Sequence, residues 1–132
     1  SPTEIYYRPK NEFVADFIGE CNFLKGTSAG TQQGVTAVQL PGGTAAVNTS
    51  TSYQPGVACT VVLRPEAITI GDQGILPCKV ELSCFMGSYQ NYHVRVGDTL
   101  VKINDNCPVN KKVYSVGDEA FISFDPACAH LL

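Results

Sequence analysis

The sequence has no run of about 18 apolar residues and no basic-then-apolar leader, so nothing in it is expected to span a membrane or direct secretion. It has no C-x-x-C pair and no G-x-G-x-x-G, and Gly42-Gly43 is not followed by lysine and a hydroxyl residue. A phosphate-cradling loop is therefore not expected. Charge is scarce, at 16% of residues, and the 9 basic side chains are scattered among 12 acidic ones for a net charge of −3. Without a positive stripe, a nucleic-acid partner is disfavoured. The two histidines, His93 and His130, have no acid or thiol beside them at dyad spacing, and a surface role is expected for both. No catalytic set is found.

What is present is a 132-residue chain that is 44% hydrophobic, enough for one core or for one compact domain with a short arm. The low charge also leaves room for apolar surface facing a partner. Six cysteines, Cys21, Cys59, Cys78, Cys84, Cys107 and Cys128, make an even set. Their spacing favours free thiols over a disulfide framework or a metal site, because tetrahedral sites bring their ligands in close pairs. Cys59, Cys78 and Cys84 fall where a strand wants an apolar residue, so these thiols are expected to be mostly buried in a reducing cytoplasm. Ser1 is not an initiator methionine, and the chain is expected to be a piece of a longer protein.

Two short helices open the chain. Ser1-Pro2-Thr3-Glu4 is a capping box, Arg8-Pro9 is a break, and Phe13, Val14, Phe17 and Ile18 share one helical face before Gly19. That face is expected to pack either on the domain that follows or on a domain outside this sequence. From Asn22 the pattern becomes β. A brief strand over residues 22–26 leads to a hairpin over 35–47 around Pro41-Gly42-Gly43, and residues 48–56 form a polar loop.

Residues 61–70 organise the rest: an apolar strand meets Arg64-Pro65-Glu66 and resumes as Ile68-Thr-Ile70. Pro65 lacks an N–H for a ladder and belongs at a strand end or bulge. Arg64 and Glu66 are either surface residues with a weak ion pair or a corner lock in which the guanidinium holds loop carbonyls or a carboxylate. Residues 76–84 alternate, with Leu76, Cys78, Val80, Leu82 and Cys84 inward. Strands over 88–96 and 99–104 join through a Gly97-Asp98 turn of the II′ kind, a last strand covers 119–124, and Asp125 caps one helical turn. Seven or so short strands predict a mainly β chain, an OB-like small β-barrel preceded by the two N-terminal helices.

The polar and aromatic stretch Gly87 to His93 supplies the candidate ligand contacts Ser88, Tyr89, Tyr92 and His93. A plain hairpin surface has the same composition. The face carrying Ala58, Thr60 and Val62 is a candidate protein contact.

These residues carry a resemblance. Glu4-Ile-Tyr-Tyr-Arg-Pro9, Phe13-Val-Ala-Asp-Phe-Ile-Gly-Glu-Cys-Asn22, Leu63-Arg-Pro-Glu-Ala-Ile68 and Phe124-Asp-Pro-Ala-Cys-Ala-His130 resemble the C-terminal part of the ATP-binding subunit of ABC importers. The third is similar to the signature of their transport-associated OB (TOBE) domain. Within that family the chain resembles the polyamine, ferric-iron and phosphonate importers.

The resemblance implies a cytoplasmic parent ATPase, peripheral on the inner face of the membrane and bound to permease subunits. ATP and Mg would belong to its catalytic domain upstream of Ser1, leaving no cofactor and no enzymatic step here. Residues 1–20 would be a connector from that domain and 21–132 the regulatory domain, pairing with a second copy of itself. The alternative it implies is an oxyanion- or metabolite-sensing domain that regulates transport, although the dispersed basic residues do not favour an oxyanion.

Overall fold

In a computed structural model, residues 20–106 and 111–132 are described. The helices expected at 1–19, and residues 107–110, lie outside them. The described chain is mainly β: ten strands form two antiparallel sheets of five.

The first sheet has the order β10-β4-β1-β2-β3, built from β1 (Asn22–Gln32), β2 (Val35–Leu40), β3 (Gly43–Asn48), β4 (Ala58–Leu63) and β10 (His130–Leu131). The second has the order β5-β9-β6-β7-β8, from β5 (Ile68–Gly71), β6 (Leu76–Phe85), β7 (Gln90–Val96), β8 (Thr99–Asp105) and β9 (Glu119–Phe124). Both sheets curl until their outer strands touch, β3 against β10 and β5 against β8. Curling covers edges that would otherwise template foreign strands.

The chain changes sheet at the corner singled out in the sequence. β4 ends at Leu63, Pro65–Ala67 makes a single 3-10 turn with proline in its first turn, and β5 starts at Ile68. Pro65 fits because that position needs no N–H. Apolar side chains from both sheets, among them Val38, Val47, Val61, Leu63, Ile68, Val80, Val94 and Ile122, form one buried cluster. Each such aliphatic side chain contributes about 1.5–3 kcal/mol on leaving water.

β1 runs six residues past the expected end at Gly26. A Cβ at Gly26 would collide with the Gln39 carbonyl, so this glycine marks close approach of β2 rather than a strand end. A two-residue turn at Gln33-Gly34, with φ of 52° and 76°, closes the β1–β2 hairpin in the primed geometry that suits strand twist. The expected hairpins at Pro41-Gly42 and Gly97-Asp98 are present. Gly97 has φ of 58° while Asp98 stays out of the left-handed region, as a II′ turn requires.

The alternation expected over residues 76–84 breaks within β6. Register shifts between Val80 and Leu82, so Glu81 is the extra residue of a bulge. Alternation inverts beyond it: Leu82 lies opposite His93 on the outer face, and Ser83 lies opposite the buried Tyr92. Cys84 is therefore exposed, not inward. On β4, Val62 is 4% exposed despite being assigned to the outward face, which withdraws it from the contact surface expected with Ala58 and Thr60.

Candidate functional site

Arg64 is buried and its guanidinium donates to the Glu20 carbonyl at 3.2 Å. This is the corner lock; Glu66 is exposed. Two residues beyond Glu20, the Asn22 carboxamide donates to the Lys102 carbonyl and accepts from the Lys102 N–H, both at 2.8 Å. Lys102 sits on β8, the outer strand of the second sheet, and its backbone polar groups point away from β7. A side chain of the first sheet thus completes an edge of the second. The Lys102 ammonium also reaches Glu20 at 2.7 Å, in a largely solvated ion pair. Residues 20–22 are consequently tied to both sheets.

The four expected ligand contacts do not converge. Ser88 is exposed in the β6–β7 turn, Tyr89 is half-buried, and its carbonyl accepts from the Met86 N–H at 2.8 Å. His93 is half-buried on the outer face of β7. Tyr92 has to be removed from the set: it is 1% exposed, and its hydroxyl accepts from the Tyr114 N–H at 3.1 Å. Its ring meets Tyr114 edge-on at 6.3 Å between centroids. The Tyr114 hydroxyl in turn donates to Asp72 at 2.5 Å, with Lys112 3.2 Å from the same carboxylate oxygen. Burial and that bond to Asp72 push the Tyr114 phenol up to about 12. The same bond, then Lys112, lowers the Asp72 carboxyl. This chain of contacts is a structural brace for the segment between β8 and β9.

Two wide concavities stand out among the described residues. One, of about 620 Å³, crosses the outer face of β6, β7 and β9, where Glu81 and Arg95 pair through two bonds of 2.9 and 3.0 Å and Lys79 lies opposite Glu119. The Arg95 guanidinium holds the Glu81 carboxyl below its usual range. Its positive and negative charges are balanced, which suits a protein surface more than an ionic ligand.

The other, of about 700 Å³, lies where the end of β1 and the start of β2 meet residues 52–55. Thr31, Gln32, Ser52, Tyr53 and Gln54 line it, with small apolar side chains between them. The loop is held in place by the Tyr53 N–H donating to the Thr31 hydroxyl at 2.8 Å and by the Ser28–Val57 and Gly56–Ser28 backbone bonds at 2.8 and 2.7 Å. Behind it, the hydroxyls of Thr31, Thr36 and Thr49 form a chain with steps of 2.6 and 2.8 Å. Sequence reading passed over this groove because residues 48–56 look like an ordinary polar loop. The available signal was compositional: no Asp, Glu, Lys, Arg or His occurs from Gly26 through Leu63.

Among the described residues, no group of three or more His, Cys, Asp or Glu could hold a metal ion, and no helix is long and apolar enough to cross a membrane.

Comparison with known proteins places these features in context. Residues 61–132, from mid-β4 onward, match the TOBE domain family. A spermidine/putrescine import ATP-binding protein PotA of Pseudomonas fluorescens is 34% identical over 137 residues, covering 99% of this chain and 37% of that protein. Its counterpart from Mesorhizobium japonicum is 42% identical over 98 residues, covering 73% of this chain and 27% of its own. The chain thus spans about a third of the length of such relatives. Among solved structures, the cytoplasmic molybdate-binding protein ModG aligns with a TM-score of 0.65 at 14% identity, over 83% of this chain and 94% of that one. At that identity the likeness is one of fold.

Proposed function

This chain belongs to the TOBE domain family, and from that premise we propose that it is the non-catalytic C-terminal regulatory and dimerisation domain of the ATP-binding subunit of an ABC-type importer. In this reading residues 1–20 connect to an ATPase domain and residues 21–132 form the regulatory domain. The observation that carries it is the anchoring of residues 20–22. Arg64 holds the Glu20 carbonyl and Lys102 holds Asn22, which fixes residues 20–22 to both sheets.

Pairing with a second copy then holds two ATPase domains at high effective concentration, and no local chemistry is needed. ATP and Mg act in the attached domain, and permease subunits are met through it, at the cytoplasmic face of the membrane. Similarity to PotA ATP-binding proteins over 99% of this chain supports the assignment to an importer subunit. A second reading, small-ligand sensing that regulates transport, is supported by the groove at residues 52–55.

Sedimentation equilibrium of the chain over a wide concentration range, under reducing conditions, tests the first reading. A concentration-dependent dimer indifferent to added polyamines or small anions is expected. A strict monomer overturns pairing, and a monomer whose melting temperature responds to one additive favours sensing.

A further inference from the structure

We infer that the groove between the β1–β2 hairpin and residues 52–55 is a binding site for a neutral, polyhydroxylated small molecule of the saccharide class. It is an open groove of about 700 Å³, with Gln32, Ser52, Gln54 and Pro55 exposed along it. The decisive feature is electrostatic. None of the lining residues carries a formal charge, and the segment supplying all of them is free of acidic, basic and histidine side chains. An oxyanion or a polyamine entering here would find no counter-charge among the lining residues. A sugar needs none, and is held by hydrogen bonds and apolar contact.

The lining also has the two textures that a sugar ring needs. The Gln32 and Gln54 carboxamides and the Ser52 hydroxyl can donate and accept, matching hydroxyl groups that do the same. Between them the Tyr53 ring and Pro55 offer apolar surface for the C–H face of a pyranose.

Preorganisation adds to this. Tyr53 is held at both ends, its N–H on the Thr31 hydroxyl at 2.8 Å and its own hydroxyl on the Leu131 carbonyl at 3.2 Å. The ring therefore need not be immobilised when a ligand arrives, which removes part of the entropic cost of binding. Because Leu131 belongs to β10, which pairs with β4 and so reaches the sheet-crossing corner, the groove has a structural link to the rest of the domain.

The proposal does not require pairing with a second copy. The test is a backbone amide NMR titration of the chain with the non-reducing disaccharides trehalose and sucrose, run in parallel with spermidine and molybdate. At least one disaccharide is expected to shift amides within residues 29–37 and 52–55, saturating with a Kd on the order of 1 mM. The Gln32→Ala/Gln54→Ala variant should weaken it about tenfold, while Phe85→Ser, at an exposed turn elsewhere, should not. No shifts with either sugar up to about 50 mM overturn the proposal, as do stronger shifts of the same amides by spermidine or molybdate, or unchanged affinity in the double variant. A dimer that binds neither sugar overturns only this site, and sugar binding by a strict monomer overturns only pairing.

Discussion

Asn22 and Lys102 stand 80 residues apart in the chain and are joined by two hydrogen bonds of 2.8 Å, one in each direction, between the asparagine side-chain amide and the lysine backbone N–H and C=O. Asparagine suits the position because its amide can donate to a carbonyl and accept from an N–H at once. It thereby acts as one more residue of ladder for the edge of β8. The arrangement locks the two sheets at the point where the chain enters β1.

Asn22→Ala should cost about 2 kcal/mol, since it leaves the Lys102 N–H and C=O without their partner as well as losing the bonds. Lys102→Ala should cost less than about 1 kcal/mol, because the clasp uses the lysine's backbone and its ammonium makes only an exposed ion pair. Urea unfolding of both variants checks the contrast. Equal losses would mean that the clasp is not what joins the sheets.

Arg64 is 6% exposed and donates to the Glu20 carbonyl at 3.2 Å, whereas Glu66 is open to solvent. Arg64→Lys should lose about 2 kcal/mol despite keeping the charge, because an ammonium cannot reproduce the planar fork and is more strongly hydrated. Glu66→Ala should stay within about 0.5 kcal/mol of the parent. Thermal unfolding separates these outcomes, and a larger loss at Glu66 would restore the ion-pair view of the corner.

The Tyr114 phenol has a folded-state pKa pushed up to about 12 from an ordinary 10, first by burial and then by its bond to Asp72. A raised folded value means that its contribution to stability is complete below about pH 10 and is lost as pH climbs through about 12. Absorbance titration of phenolate should show one tyrosine ionising late, together with loss of β signal. Tyr114→Phe should remove that late ionisation and lower neutral-pH stability by about 1 kcal/mol. A Tyr114 phenolate that forms near pH 10 in the folded chain would refute the brace.

Local chemistry made several features legible in the sequence. Pro65 after Arg64 marked a corner, Gly97-Asp98 and Pro41-Gly42 marked hairpins, and Asp125 marked a cap that the structure contains, its carboxylate accepting from the Ala127 N–H at 2.8 Å. Each is decided within a few residues. The Glu81 bulge was not legible, because alternation from Leu76 to Cys84 satisfies the pattern with or without an inserted residue. Nor was the true length of β1, since Gly26 reads as a stop unless β2 is known to press against it. The Asn22 clasp and the groove are both long-range, and only the absence of charge from Gly26 through Leu63 pointed toward the second.

Cysteine reactivity distinguishes the bulged strand from the regular one. Without the bulge, Cys78 and Cys84 would share the inner face, and both would be shielded. With it, Cys78 is 7% exposed while Cys84 is open to solvent. Burial also pushes the Cys78 thiol up to about 11, leaving on the order of 0.1% thiolate at pH 8. Cys59 is buried and shifted the same way. A disulfide reagent applied to the folded chain at pH 8 should therefore modify Cys84 and the exposed Cys128 quickly, and Cys59 and Cys78 only after denaturant is added. Cys84→Ser should remove one fast equivalent and leave the slow ones unchanged. If Cys84 instead reacts no faster than Cys78, the register inversion at Glu81 is wrong, and with it the placement of Leu82 and His93 on the outer face.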